Sequence, residues 1–133
     1  MGYVREKLNT VFEARAFRSW NTSNDEEIMP YIIVVDATAT DAKSFTYALK
    51  DKVRVIDAWI IPVVASGGGT CQIQDNDGNA ITDAMACATN KALARAAEID
   101  DANYEEAKGN NLKVVQNGNA DSCWAFILVV PVK

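Results

Sequence analysis

The 133-residue sequence contains no histidine. That absence removes Ser-His-Asp and Cys-His activation of a nucleophile, along with the commonest general base. It also removes the usual nitrogen ligand of zinc. Cysteine is scarce: Cys71, Cys87 and Cys123 are far apart, odd in number, and form no Cys-x-x-Cys pair. Three reduced, largely buried thiols are the simplest expectation, with no metal and no cofactor. No stretch reaches the roughly 18 to 20 apolar residues that cross a bilayer, so no membrane contact is expected. The opening residues MGYVREKLNT lack the apolar centre of a secretory signal, and Glu6 stands where myristoylation of Gly2 wants Ser or Thr.

A basic excess is also missing. Thirteen Lys and Arg against 18 Asp and Glu give a net charge of −5, which leaves no general footprint for direct nucleic-acid binding. The charge is uneven. Within residues 1–20, Arg5, Lys7, Arg15 and Arg18 outnumber Glu6 and Glu13, a net of +2 that leaves −7 on the rest. A mildly basic arm on an acidic body could dock on an acidic surface, or the unevenness is only a solvated face.

What is present is enough apolar residue, 49%, to build one core in one domain. Residues 1–27 read as an arm and polar link, and residues 28–133 as the domain. In the arm, Val4, Leu8, Val11 and Phe12 follow helical spacing before Arg15 and Ser19 break the stripe. A short helix and an extended arm lying on a neighbour are both open. Trp20 ends the basic segment beside the polar NTSNDEE link, the setting of an interface anchor. The candidate partner-contact residues are Arg5, Lys7, Arg15, Phe17, Arg18 and Trp20.

After Pro30 the pattern turns to strands. Residues 31–35, YIIVV, suit a strand buried on both faces. In residues 44–49, Phe45, Tyr47 and Leu49 share a face. Residues 52–65 begin by alternating, with Val53, Val55, Asp57 and Trp59 against Arg54, Ile56, Ala58 and Ile60. Trp59 and Trp124, both in strand patterns, are expected in the core. Pro62 implies an edge, a bend or a bulge. Ser66-Gly67-Gly68-Gly69 reads as the loop of a hairpin into residues 70–74, where Cys71 and Ile73 face one way. Residues 75–79, DNDGN, form a further turn. The Ala-rich residues 83–99 favour helix by propensity, yet they also alternate, so strand plus turn stays open. Residues 100–108 are an acidic turn or one helical turn. Residues 112–116 and 123–132 are the last strands, the latter central in its sheet with Pro131 at its end. Six or seven strands without a βαβ rhythm predict an all-β fold, a β-sandwich or jelly roll with an N-terminal extended or partly helical arm.

The remaining chemical motifs fail on their own terms. Asp100/Asp101 and Glu105/Glu106 are neighbours, which a strand points to opposite faces rather than into one cleft. The DNDG turn lacks two ligands of a calcium loop, having Ile73 and Ala84 at those positions. The glycine run is followed by TCQIQ, not by the Lys-Ser/Thr and helix of a phosphate loop. Asn21-Thr22-Ser23 is a glycosylation sequon, idle without secretion. A non-enzymatic protein is therefore expected, one that adheres to other protein surfaces.

Residues 52–59 (KVRVIDAW), the glycine run, residues 79–84 (NAITDA) and residues 95–102 (RAAEIDDA) resemble a group of small tailed-bacteriophage virion proteins, over roughly residues 45–132. Such proteins often sit among head genes and are regarded as capsid decoration or cement proteins with β-sandwich folds. The resemblance implies a structural protein on the capsid surface of the virion, assembled in the host cytoplasm. Its partner would be the major capsid protein, and it would be a homo-oligomer, a trimer or dimer. It also favours strand over helix for residues 83–99. The alternatives are a head-fibre base, a tail tip, or a carbohydrate-binding receptor module.

Overall fold

The computed structural model describes residues 29–39, 43–65, 69–117 and 122–132. Among them are nine β-strands and no helix. They are β1 (Tyr31–Ala37), β2 (Ser44–Ala48), β3 (Val53–Val64), β4 (Gly69–Gln74) and β5 (Met85–Cys87), then β6 (Ala94–Arg95), β7 (Glu105–Glu106), β8 (Asn111–Asn117) and β9 (Ser122–Pro131). The arm and its six candidate contacts, Arg5 to Trp20, lie outside the described residues.

The strands form two antiparallel sheets. One has the order β1-β9-β3-β6, with the two-residue β7 also paired to β3; the other has the order β2-β8-β4-β5. Leaving β7 aside, the pairs β1–β9, β2–β8, β3–β6 and β4–β5 nest one inside the next. That is the pattern of a long hairpin rolled into a sandwich, a jelly roll. The expected fold class holds.

This topology corrects the hairpin expected at Ser66–Gly69. β3 and β4 belong to different sheets, so the chain crosses between layers there. Four residues between two apolar alternations fit a tight reversal and an inter-sheet corner equally well, and only the non-local pairing of β3 with β9 separates them. The Ala-rich segment adopts strand plus turn, with β5 and β6 separated by the turn at residues 89–91. Small side chains suit these short outer strands. Met85 and Cys87 go inward, and Ala94 packs at the core's margin.

Both sheets bury one face. Ile33, Val35 and Ala37 of β1, Val55, Ala58 and Ile60 of β3, and Ala125, Ile127 and Val129 of β9 meet Cys71 and Ile73 of β4, Met85 of β5, and Leu112 and Val114 of β8. The DNDGN turn closes as expected. Asp75 accepts the backbone N–H of Asp77 and of Asn79 at 2.9 and 2.8 Å, and the Asn79 amide at 3.0 Å. Gly78 sits at φ +92°, which a side chain would strain.

Candidate functional site: an apolar face on the five-stranded sheet

β1 was expected to be buried on both faces. It is buried on one: Ile32 and Val34 are each 48% exposed. Trp59 and Trp124 were expected in the core, and both point outward as well, Trp124 at 38% exposure.

For Trp59 the cause is a β-bulge in β3. Val55 pairs with Val129 and Asp57 with Leu128, leaving Ile56 without a partner residue. The extra residue shifts the strand's phase, because the side-chain period is two. Val53 and Val55 point inward before it, and Ala58, Ile60 and Pro62 point inward after it. Simple alternation would have put Trp59 on the face of Val53. The bulge puts it outside, where the ring stacks on Phe126 with centroids 5.8 Å apart and 8° between planes.

The outward side chains line up in cross-strand rows. Ile32, Leu128 and Asp57 form one row; Val34, Phe126 and Trp59 the next; Asp36, Trp124 and Ile61 the third. Val63, 42% exposed, continues the surface along β3. Two tryptophans, one phenylalanine and five aliphatic side chains thus share one face across three strands. Trp, Phe and Tyr carry the largest contact energy per residue in binding surfaces.

Charged pairs edge this face. The Arg95 guanidinium, opposite Trp59 in the ladder, grips Asp57 with Nε–Oδ1 at 3.1 Å and Nη2–Oδ2 at 2.7 Å. Arg54 donates to Glu105 from Nε at 3.0 Å and from Nη2 at 2.6 Å, and its guanidinium lies 5.1 Å from the centre of the Tyr104 ring. The Arg54 hydrogen bond holds the Glu105 carboxyl below its usual range, and Lys52 adds to the same effect. Both pairs are open enough for solvent to screen them, so they shape the rim more than they stabilise the fold. An apolar centre with a polar rim is the anatomy of a protein-binding surface.

The carboxylates elsewhere hold the fold. Asp83 accepts the N–H of Ala97 and Glu98, and Asp100 accepts that of Ala102. Both line a cleft of about 580 Å³ with Thr82, Glu98 and Asp101. Glu105 and Glu106, adjacent in β7, diverge as their spacing predicted. Glu105 meets Arg54, while Glu106 accepts the N–H of Asn76 at 2.7 Å and the amide of Asn110 at 2.8 Å. Among the described residues, no group of three or more Cys, Asp or Glu is placed to hold a metal ion.

Sequence reading missed this face because its strands are apolar on both sides. A run such as YIIVV or WAFILVV has the same pattern whether its second face meets a layer of protein or open solvent. The one usable signal was Asp36 and Asp57, charges at outward positions within otherwise apolar runs. No family model, curated protein or solved structure matches the chain.

Proposed function

We propose that the protein is a structural virion protein of the capsid decoration or cement type, which binds the head shell through the outer face of β1, β9 and β3. The observation that carries this reading is the continuous apolar face around Val34, Phe126, Trp59 and Trp124. At about 4.8 Å between strands and 3.3 Å per residue, its footprint is about 250 Å². A stable single interface takes about 800 Å² per partner. One such contact is weak, so the face suits a partner that repeats it many times, where avidity supplies the rest. A shell built of the major capsid protein offers that repetition. The resemblance of roughly residues 45–132 to small tailed-phage virion proteins points the same way, and the jelly roll is a fold that viral capsid proteins use, an analogy of fold alone. Attachment as a trimer or dimer would multiply the contacts again.

The test is a comparison of particles assembled with and without the chain. Many copies per shell are expected, along with breakage at lower temperature when the chain is missing. The double variant Val34→Glu/Leu128→Glu is expected to fold and to stay off the shell. A few copies, confined to the tail, would sink this reading in favour of a tail tip or fibre base.

One observation favours a second reading. The stacked Trp59–Phe126 pair and the 38%-exposed Trp124 group aromatic side chains on one face, the residue type against which sugar rings pack, and lectins also use the jelly roll. Saturable glycan binding lost in Trp124→Ala would support a carbohydrate-binding module instead.

A further inference from the structure

The three cysteines, scattered in sequence, converge inside the sandwich. Cys71 projects inward from β4 in one sheet and Cys123 from β9 in the other, and both are fully buried. The two thiols interact with each other there. Gln116, which pairs with Cys71 across the β4–β8 ladder, donates from Nε2 to the Cys123 sulfur at 3.2 Å and to the carbonyl of Ala37 at 2.9 Å. Two sulfurs and one amide therefore tie the layers together at one point. Cys87 lies one step along, opposite Gly69. Its thiol is directed to the carbonyl oxygens of Val64 at 3.8 Å and Ser122 at 4.0 Å.

We propose that Cys71 and Cys123 are a disulfide-forming pair, a cross-link site that joins the two sheets through the core when the chain meets a small-molecule disulfide. Gln116 stands beside Cys71 in its ladder and reaches the Cys123 sulfur at 3.2 Å, so both sulfurs lie beside one amide, the neighbourhood from which a bond of about 2.05 Å forms. The placement, one cysteine per layer at the centre of a sandwich, matches the inter-sheet bridge of immunoglobulin-type domains. The inference stands on the cysteines and is independent of the proposed function.

The chemistry is thiol–disulfide exchange. One protein thiol, as its thiolate, attacks a sulfur of the small disulfide and expels one thiolate, which takes up the proton lost. The second protein thiolate attacks the sulfur of the resulting mixed disulfide and expels the other small thiol. Two protein thiols are oxidised by two electrons, and one small disulfide is reduced to two thiols. The contact with Cys123 and burial both push the Cys71 thiol up, away from the reactive thiolate. The exchange is therefore slow in the closed sandwich and fast whenever the sheets part.

The full chain, incubated with oxidised glutathione both as folded protein and during refolding from denaturant, tests this. Refolding is expected to give an intact mass about 2 Da lower, one titratable thiol in place of the three, and a linked peptide holding Cys71 and Cys123. The melting temperature is expected to rise by about 10 °C, since the bridge closes a loop of about 50 residues. Cys87→Ser should keep the link, and Cys123→Ser should replace it by bound glutathione on Cys71. Three free thiols after both treatments, a link through Cys87, or a lowered melting temperature would each overturn the assignment.

Discussion

The ring of Trp59 lies parallel to that of Phe126 on the solvent side of the five-stranded sheet, directly across a ladder whose other face is the core. The next residue in β9, Ile127, is fully buried on that other face. Consecutive positions therefore do different work. Phe126→Ala removes a stacked pair and partial burial, and is expected to cost about 1–2 kcal/mol. Ile127→Ala opens a cavity between the sheets, and is expected to cost about 2–5 kcal/mol. Urea unfolding of the two variants measures the contrast. Only the first is expected to weaken shell binding out of proportion to its loss of stability.

A charge on the outer face should separate adhesion from folding. Val34 is about half exposed on the edge strand β1, in the middle one of the three apolar rows, so Val34→Glu is expected to change stability by about 0.5 kcal/mol or less. It places a carboxylate where a partner must remove water, and that desolvation has no compensating bond. Loss of shell association with an unchanged urea midpoint is the expected outcome. A fall in both together would mean that Val34 faces the chain's own residues.

The fold and the candidate site differ in how far local pattern reveals them. Inward positions such as Leu49, Cys71 and Ile73 follow directly from alternation, and the DNDGN turn follows from its residue types. The turn at Ser66–Gly69 reads as a reversal, but which sheet receives the next strand depends on pairing with β9, some 60 positions later. The outward face was illegible for a third reason. One unpaired residue, Ile56, inverts the phase of β3 from Asp57 to Pro62, where a second register shift follows, and nothing in KVRVIDAW marks Ile56 over its neighbours as the extra residue. Trp59 and Trp124 were expected in the core because both lie in strand patterns; for Trp59 the phase read from Val53 holds only as far as Val55, and for Trp124 the apolar run of β9 does not show which of its faces is covered.

Acid should loosen the turn at Asp75. Burial raises the pKa of this carboxyl, but hydrogen bonds from the backbone and side chain of Asn79 and from Asp77 and Gly78 outweigh it, so the folded-state pKa is lowered. A lowered pKa means the stabilisation is present above the unfolded value of about 3.9 and is lost as pH falls through the folded value. Stability of the unaltered chain is therefore expected to drop below about pH 4 in a step that Asp75→Asn flattens. At neutral pH the same substitution is expected to cost about 1–3 kcal/mol. Urea midpoints collected from pH 7 down to pH 3 test both statements.

The bulge itself offers the sharpest test of how this face arises. Ile56 is 43% exposed and lies between the paired residues Val55 and Asp57, so Ile56→Ala removes little packing and is expected to cost under about 1 kcal/mol. Deleting Ile56 tests the bulge directly. Without the extra residue, Val55 and Asp57 become consecutive and face the consecutive partners Val129 and Leu128. Plain alternation then keeps Asp57 and Trp59 outward and Ala58 and Ile60 inward. The deletion removes the bend and extra twist of the bulge but leaves the core residues of β3 in place. Cooperative unfolding in circular dichroism is therefore expected to survive in both the deletion and Ile56→Ala. A deletion variant that loses cooperative unfolding would show that Ile56 is not the residue that sets the phase of Trp59.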